Sequence, residues 1–195
     1  MKVLRHFVVE VPKKHNDTVK VGEQEIYIDT RFNEFEHRIC HGVVVSAPYL
    51  FETGVKEGDT LFFHHHVTQN KSLALGDDKY IVVYDQDNPR ASHAIAYRDR
   101  DSQLHMLSEW VFVQPPERDV EEEVTESGII VDLKTKEVDD KTAIIFMPHP
   151  TLIEQGVEVG DEVGFDFGSD YKMKLDDESI VYRMRLDDLS YVIKS

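Results

Sequence analysis

Sulfur chemistry is nearly absent from this chain: among 195 residues there is one cysteine, Cys40. One thiol builds neither a disulfide framework nor a zinc-ribbon site within a chain, which points to a reducing, cytoplasmic setting. No apolar stretch approaches the roughly 18 to 20 residues needed to cross a bilayer, so a soluble protein is expected. The N-terminal "MKVLRHFVVEVPKK" has a short apolar run but no small-residue cleavage site, and it does not read as a signal peptide. Positive charge is scarce as well, with 22 Lys and Arg against 38 Asp and Glu and a formal charge of −16. Such a balance argues against a phosphate backbone and against an anionic membrane surface, so neither nucleic acid nor membrane is expected as a partner. The deficit is uneven: residues 1–108 carry 13 basic and 16 acidic groups, residues 109–195 carry 9 and 22. Signatures of catalysis are missing too. There is no Gly-x-Ser-x-Gly elbow, no phosphate-cradling Gly-Lys-Ser/Thr loop and no His-Glu-x-x-His helix, so neither an enzyme nor a cofactor is expected. The acidic pairs Asp77-Asp78, Asp176-Asp177 and Asp187-Asp188 read as solvated turns.

What the chain does have is a phrase said twice. From Pro48 to Asp59 and from Pro150 to Asp161 the same Pro, Leu, Glu, Gly, Val, Gly and Asp recur at the same spacing. A long internal period decides the architecture before any local reading. The match extends upstream, from "HFVVEVP" at His6 to "WVFVQPP" at Trp110, "EIYID" at Glu25 to "GIIVD" at Gly128, and "GVVVSAP" at Gly42 to "IIFMPHP" at Ile144. Downstream, "AYR" at Ala96 aligns with "VYR" at Val181 and "LSEW" at Leu107 with "LDDL" at Leu186. The offset of 102 to 104 residues falls to 85 and then 79 at these last matches, which puts an insertion late in the first unit. Two units follow, residues 1–108 and 109–195, each of a common domain size.

Runs such as "HFVVEV", "GVVVS", "DTLFF", "YIVVY", "WVFVQ", "AIIFM" and "SIVYRM", bounded by Gly, Pro, Asn or Asp, are strand signals. No segment of a dozen residues has a three-to-four period, and the best helical candidate, Pro48 to Gly54, amounts to one turn. The expected fold class is all-β, with a small barrel or sandwich in each unit. Between the first two strands of each unit lies a polar stretch, "PKKHNDTVKVGEQ" and "PPERDVEEEVTES", that reads as exposed and mobile. Each ends in an apolar triplet, Ile26-Tyr27-Ile28 or Ile129-Ile130-Val131, which is either the next strand or a hook for a groove on a partner.

The order of these features resembles the ten-kilodalton co-chaperonins, the GroES-like proteins that cap chaperonin rings. In that family a first strand leads into a mobile loop with a Gly-Ile-Val-Leu-like hook. An apolar strand, a Val-Lys-x-Gly-Asp turn, another strand, a roof hairpin and a closing strand follow. "VKEGDTLFF" at Val55 and "VEVGDEVGF" at Val157 resemble its Gly-Asp turn, and "SGIIVDL" at Ser127 resembles its hook. The resemblance spans almost the whole chain, twice. It implies two tandem GroES-like small β-barrels with mobile loops and roof hairpins. It further implies chaperonin-binding residues Gly128, Ile129, Ile130 and Val131, with Ile26, Tyr27 and Ile28 in the corresponding place, and structural turns at Gly58, Asp59, Gly160 and Asp161. The implied function is a lid: a homo-oligomeric ring that docks on a chaperonin ring in a nucleotide-dependent way, hydrolysis belonging to the partner. The chain departs from the pattern in three places. "QEIYID" lacks the glycine before the hook, the segment from Val67 to Ala94 lengthens the roof of unit one, and "EWVFVQ" alone stands where a closing and an opening strand are both expected. The alternative class is a GroES-fold structural or assembly protein, for instance viral, that no longer binds a chaperonin.

Nine of the ten histidines lie in unit one, with His64, His65 and His66 consecutive. Strand alternation would put His64 and His66 on one face, a spacing that holds a metal only if a third ligand arrives from elsewhere. The expectation is a solvated cluster without metal. Trp110, Phe62, Phe63, Tyr84 and Tyr97 read as core or subunit contacts.

Overall fold

The computed structural model describes residues 3–11, 18–27, 38–116, 121–124, 130–134, 141–166, 168, 171–175 and 179–194. These residues are mostly β, in two six-stranded antiparallel sheets and two two-stranded ribbons. Sheet one contains β1 (Phe7–Glu10), β4 (His41–Ser46), β5 (Thr60–Phe63), β6 (Lys79–Val82), β7 (Ala94–Arg98) and β8 (Leu104–Met106), in the order β6-β1-β4-β5-β7-β8. Sheet two contains β9 (Trp110–Gln114), β12 (Thr142–Met147), β13 (Glu162–Phe165), β14 (Tyr171–Lys174), β15 (Ile180–Arg185) and β16 (Leu189–Ile193), in the order β14-β15-β9-β12-β13-β16. The ribbons pair β2 (Thr18–Val21) with β3 (Gln24–Tyr27), and β10 (Glu121–Val124) with β11 (Ile130–Lys134). By contacts the chain divides into residues 1–110 with 173–180, and 111–172 with 181–195.

Period-two patterning explains the sheets. In β4, Gly42, Val44 and Ser46 are buried while His41 and Val43 face out, and β6 buries Tyr80 and Val82 in the same alternation. The core of sheet one includes Val9, Val44, Val55, Leu61 and Phe63; that of sheet two includes Val113, Ile145, Val157, Val163 and Phe165. Each such side chain contributes about 1.5–3 kcal/mol by leaving water. Trp110, Phe62 and Phe63 are buried, and Tyr84 and Tyr97 pack partly buried against the core of sheet one.

Two irregularities recur. Val9 faces Val44 while Val8 faces Ser46, so Val45 is an extra residue in β4. Val113 faces Ile145 while Phe112 faces Met147, so Phe146 is the extra residue in β12. Further along, Phe62 faces Ala96 and Phe63 faces Ala94, and likewise Gly164 faces Tyr191 and Phe165 faces Leu189. Ile95 and Ser190 are the extra residues there. Such bulges bend a strand and raise its local twist.

The register corrects the end of the sequence alignment. Ala96 lies on β7 beside β5, and its place in sheet two is taken by Tyr191 on β16, whereas Val181 lies on β15 beside β9. The place beside β1 that corresponds to β15 is filled by β6, which lies inside the segment read as a roof insertion. Thirty-one positions separate Phe63 from Ala94 and 24 separate Phe165 from Leu189, so the excess in unit one is smaller than the matched triplets imply. Nor does one strand serve both units: the short β8 ends sheet one and β9 lies within sheet two.

The described residues also include two short α-helices, α1 (His66–Gln69) and α2 (Pro150–Glu154), and three single-turn 3-10 helices. The repeated phrase starts in a helical turn only at Pro150. There His149 Nδ1 accepts the Thr151 N–H at 3.1 Å and Pro150 stands at the first turn. Ala47, before Pro48, has no side-chain acceptor to offer, and that segment bends without forming a helix.

Candidate functional site

Four of the residues expected to form hooks, Ile26, Tyr27, Ile130 and Val131, sit on the second strands of the two ribbons. In the first ribbon Val21 pairs with Gln24 around a tight turn in which Gly22 adopts φ 64°, a left-handed conformation that glycine takes without strain. Thr18 Oγ1 donates to Glu25 Oε1 at 2.7 Å across the pair. Ile26 and Tyr27 are exposed, Tyr27 by 79 %. In the second ribbon Glu123 pairs with Val131 and Val124 with Ile130. Ile28, Gly128 and Ile129 lie outside the described residues. Parts of both stretches expected to be mobile are therefore strands, but in ribbons outside the six-stranded sheets. Four-residue strands that are polar along much of their length give little periodic signal, which is why the ribbons do not stand out in the sequence.

Gly58, Asp59, Gly160 and Asp161 form two turns with the same bonding. Gly58 N–H donates to Val44 O and Val44 N–H to Asp59 O; Gly160 N–H donates to Ile145 O and Ile145 N–H to Asp161 O, all at 2.8–2.9 Å. The carboxylates are buried. Asp59 Oδ2 accepts the Lys56 N–H at 2.7 Å, and Asp161 Oδ2 accepts the Glu158 N–H at 2.9 Å. Gly58 and Gly160 have φ of 93° and 97°, where a side chain would be strained. Each turn is also reached by a cation from beyond a neighbouring strand: Arg100 Nη2 donates to Glu57 O at 2.7 Å, and Lys194 Nζ donates to Gly156 O and to Asp161 Oδ2.

The three consecutive histidines do not alternate as in a strand. β5 ends at Phe63 and His65 is helical (φ −54°, ψ −25°), so the chain turns and the three rings gather with centroids 4.1–4.6 Å apart. One ring nitrogen from each lies within 4.8 Å of those of the other two. His93, immediately before β7, adjoins them through its backbone: His64 N–H donates to His93 O at 3.1 Å. Nothing in the sequence links His93 to residues so far upstream; only the sheet brings it there.

Sheet two ends in β16, where Tyr191, Val192 and Ile193 are exposed and, among the described residues, only β13 pairs with the strand. No helix among the described residues is long and apolar enough to cross a membrane. No protein-family model matches the chain, and no curated protein matches it.

Proposed function

We propose that the chain is a tandem GroES-like co-chaperonin, a lid whose two units help form a ring and dock apolar hooks on a chaperonin ring. One observation carries the reading. β1 and β4 are sheet neighbours, yet 30 residues lie between Glu10 and His41; β9 and β12 are neighbours, yet 27 lie between Gln114 and Thr142. Adjacent antiparallel strands need a connection of only about 2–5 residues. Each long excursion contains a ribbon whose second strand holds part of an apolar triplet, so the same appendage leaves the same place in both units. The matching bulges and Gly-Asp turns support the view that the units are duplicates of one fold.

A hook of this kind binds weakly by itself. Each buried Ile or Val contributes at most about 1.5–3 kcal/mol, reduced by the entropy of ordering the appendage. Several hooks on one ring raise the affinity through effective concentration, and weak individual contacts allow release in each cycle. The exposed apolar edge of β16 supports assembly with further copies, because an unpaired edge strand is a template for another chain. The reading assigns the chain no chemistry of its own, a cytoplasmic setting, and neither nucleic acid nor membrane as partner.

The test is size-exclusion chromatography with light scattering, on the chain alone and with a chaperonin ring and adenine nucleotide. Nucleotide-dependent co-elution is expected, and deletion of Ile129 to Val131 should abolish it while circular dichroism is unchanged. A discrete oligomer that ignores the chaperonin would overturn the function and favour the assembly-protein class; full binding by the deletion variant would remove the triplet from the site.

A further inference from the structure

We propose that His64, His65, His66 and His93 form a binding site for one divalent transition-metal ion, zinc in the first instance, at the neck of the segment that leaves sheet one after β5 and returns at β7. The first three rings already hold one nitrogen each within 4.8 Å of one another. Zinc–imidazole bonds of about 2.0–2.1 Å in tetrahedral geometry need a somewhat tighter set, which small side-chain rotations supply. His66 Nδ1 lies 3.3 Å from Gln69 Oε1. That acceptor keeps the proton on Nδ1 and leaves the Nε2 lone pair for a metal, the usual outer arrangement around a metal-bound imidazole. His64 Nδ1 accepts the His66 N–H at 3.2 Å, so this nitrogen also carries a lone pair.

The fourth donor is the less obvious one. His93 Nδ1 is buried and has no hydrogen-bond partner, which costs free energy unless something fills the role. Its backbone is fixed from both sides, by the bond from His64 and by its own N–H donating to Val83 O at 2.8 Å. Imidazole donors suit zinc, copper and nickel, while calcium and magnesium demand oxygen ligands. The ion would tie the two ends of the intervening segment, α1 and β6 included, at the point where they meet. The site is independent of the chaperonin reading, and nothing in its test requires a chaperonin.

The experiment uses the full chain without an affinity tag, stripped with chelator and dialysed, then titrated with zinc chloride by calorimetry near neutral pH. One zinc per chain is expected, with a rise in melting temperature because the ion binds only the folded state. Cobalt in place of zinc should give the intense visible bands of a tetrahedral nitrogen site, a readout that needs no variant. His66→Gln and His93→Gln should each weaken binding by about tenfold or more, and His149→Gln, in the other unit, should leave it unchanged. Zinc uptake near zero would overturn the proposal, as would one equivalent held equally well by both variants. Loss with His66→Gln but not with His93→Gln would remove His93 from the site.

Discussion

The two Gly-Asp turns differ in what surrounds an identical backbone. Around Asp59 the neighbours are Tyr97, whose hydroxyl lies 2.7 Å from where a Cβ at Gly54 would stand, and Arg100, which reaches only a carbonyl. Around Asp161 the neighbour is Lys194, which reaches a carbonyl and also the carboxylate itself at 2.9 Å. The backbone bonds and the carboxylate's own amide contact are the same in both. The turn is thus specified by glycine at a left-handed position and aspartate one residue later, and the side chains that cover it are exchangeable. Substitutions that touch the common part should act alike in the two units, and those that touch the cover should not.

The largest effect is expected in the cores. Phe63 and Phe165 hold equivalent places, facing Ala94 and Leu189 beside equivalent bulges. Phe63→Ala should cost about 3–5 kcal/mol. Phe165 is 8 % exposed where Phe63 is fully buried, so Phe165→Ala should fall toward the low end of that range. Urea unfolding gives the totals, and amide exchange in β4 and β12 tells which sheet weakens. Loss of protection in both sheets from either substitution would mean that the two cores open as one.

Next come the aspartates. Asp59→Ala leaves the Lys56 N–H without its acceptor and Asp161→Ala does the same for Glu158, each at a cost of about 1–3 kcal/mol. Asparagine keeps an acceptor oxygen, so Asp59→Asn should recover most of the loss. Asp161→Asn should recover slightly less, because it also gives up the ion pair with Lys194, a largely exposed partner whose contribution is about 1 kcal/mol at most. Equal recovery at the two sites would show that the lysine contributes nothing to the turn.

What the sequence disclosed and what it withheld follow from the range of the interactions. The Gly-Asp turns were readable because glycine and aspartate act on their own backbone within four residues. The strands were readable from β-branched runs, and so was the burial of Phe62 and Phe63. The pairing of β7 and β16 was not, because "AYR" and "VYR" are alike as triplets while their neighbours in the sheets differ. β8 was missed because Leu104–Met106 is three residues long and "EWVFVQ" nearby gives a stronger signal. The histidines were misread for a related reason. Alternation holds only while the chain stays extended, and His65 has already turned helical. Of the expected hook, Ile26 and Tyr27 are seen exposed on a ribbon, a placement that four-residue strands do not announce.

The smallest expected effect isolates the cover of a single turn. Tyr97 is partly buried and stacks on His105, with ring centroids 4.7 Å apart. Burial, then the negative charges of Asp59 and Asp99, raise its pKa above the ordinary phenol value. A phenol whose folded pKa is raised contributes stability that is fully present below the unfolded value of about 10 and is lost as pH rises through the folded value. In the register of sheet two the counterpart of Tyr97 is Val192, which does not titrate. Burial raises Tyr84 in the same sense, so it adds to the same alkaline decline. Urea midpoints followed from about pH 9 to about pH 11 should fall less steeply in Tyr97→Phe than in the unaltered chain, and least in the double variant with Tyr84→Phe. An alkaline slope that both variants leave untouched would mean that neither phenol distinguishes the folded from the unfolded state, and the difference between the two turns would then rest on Arg100 and Lys194 alone.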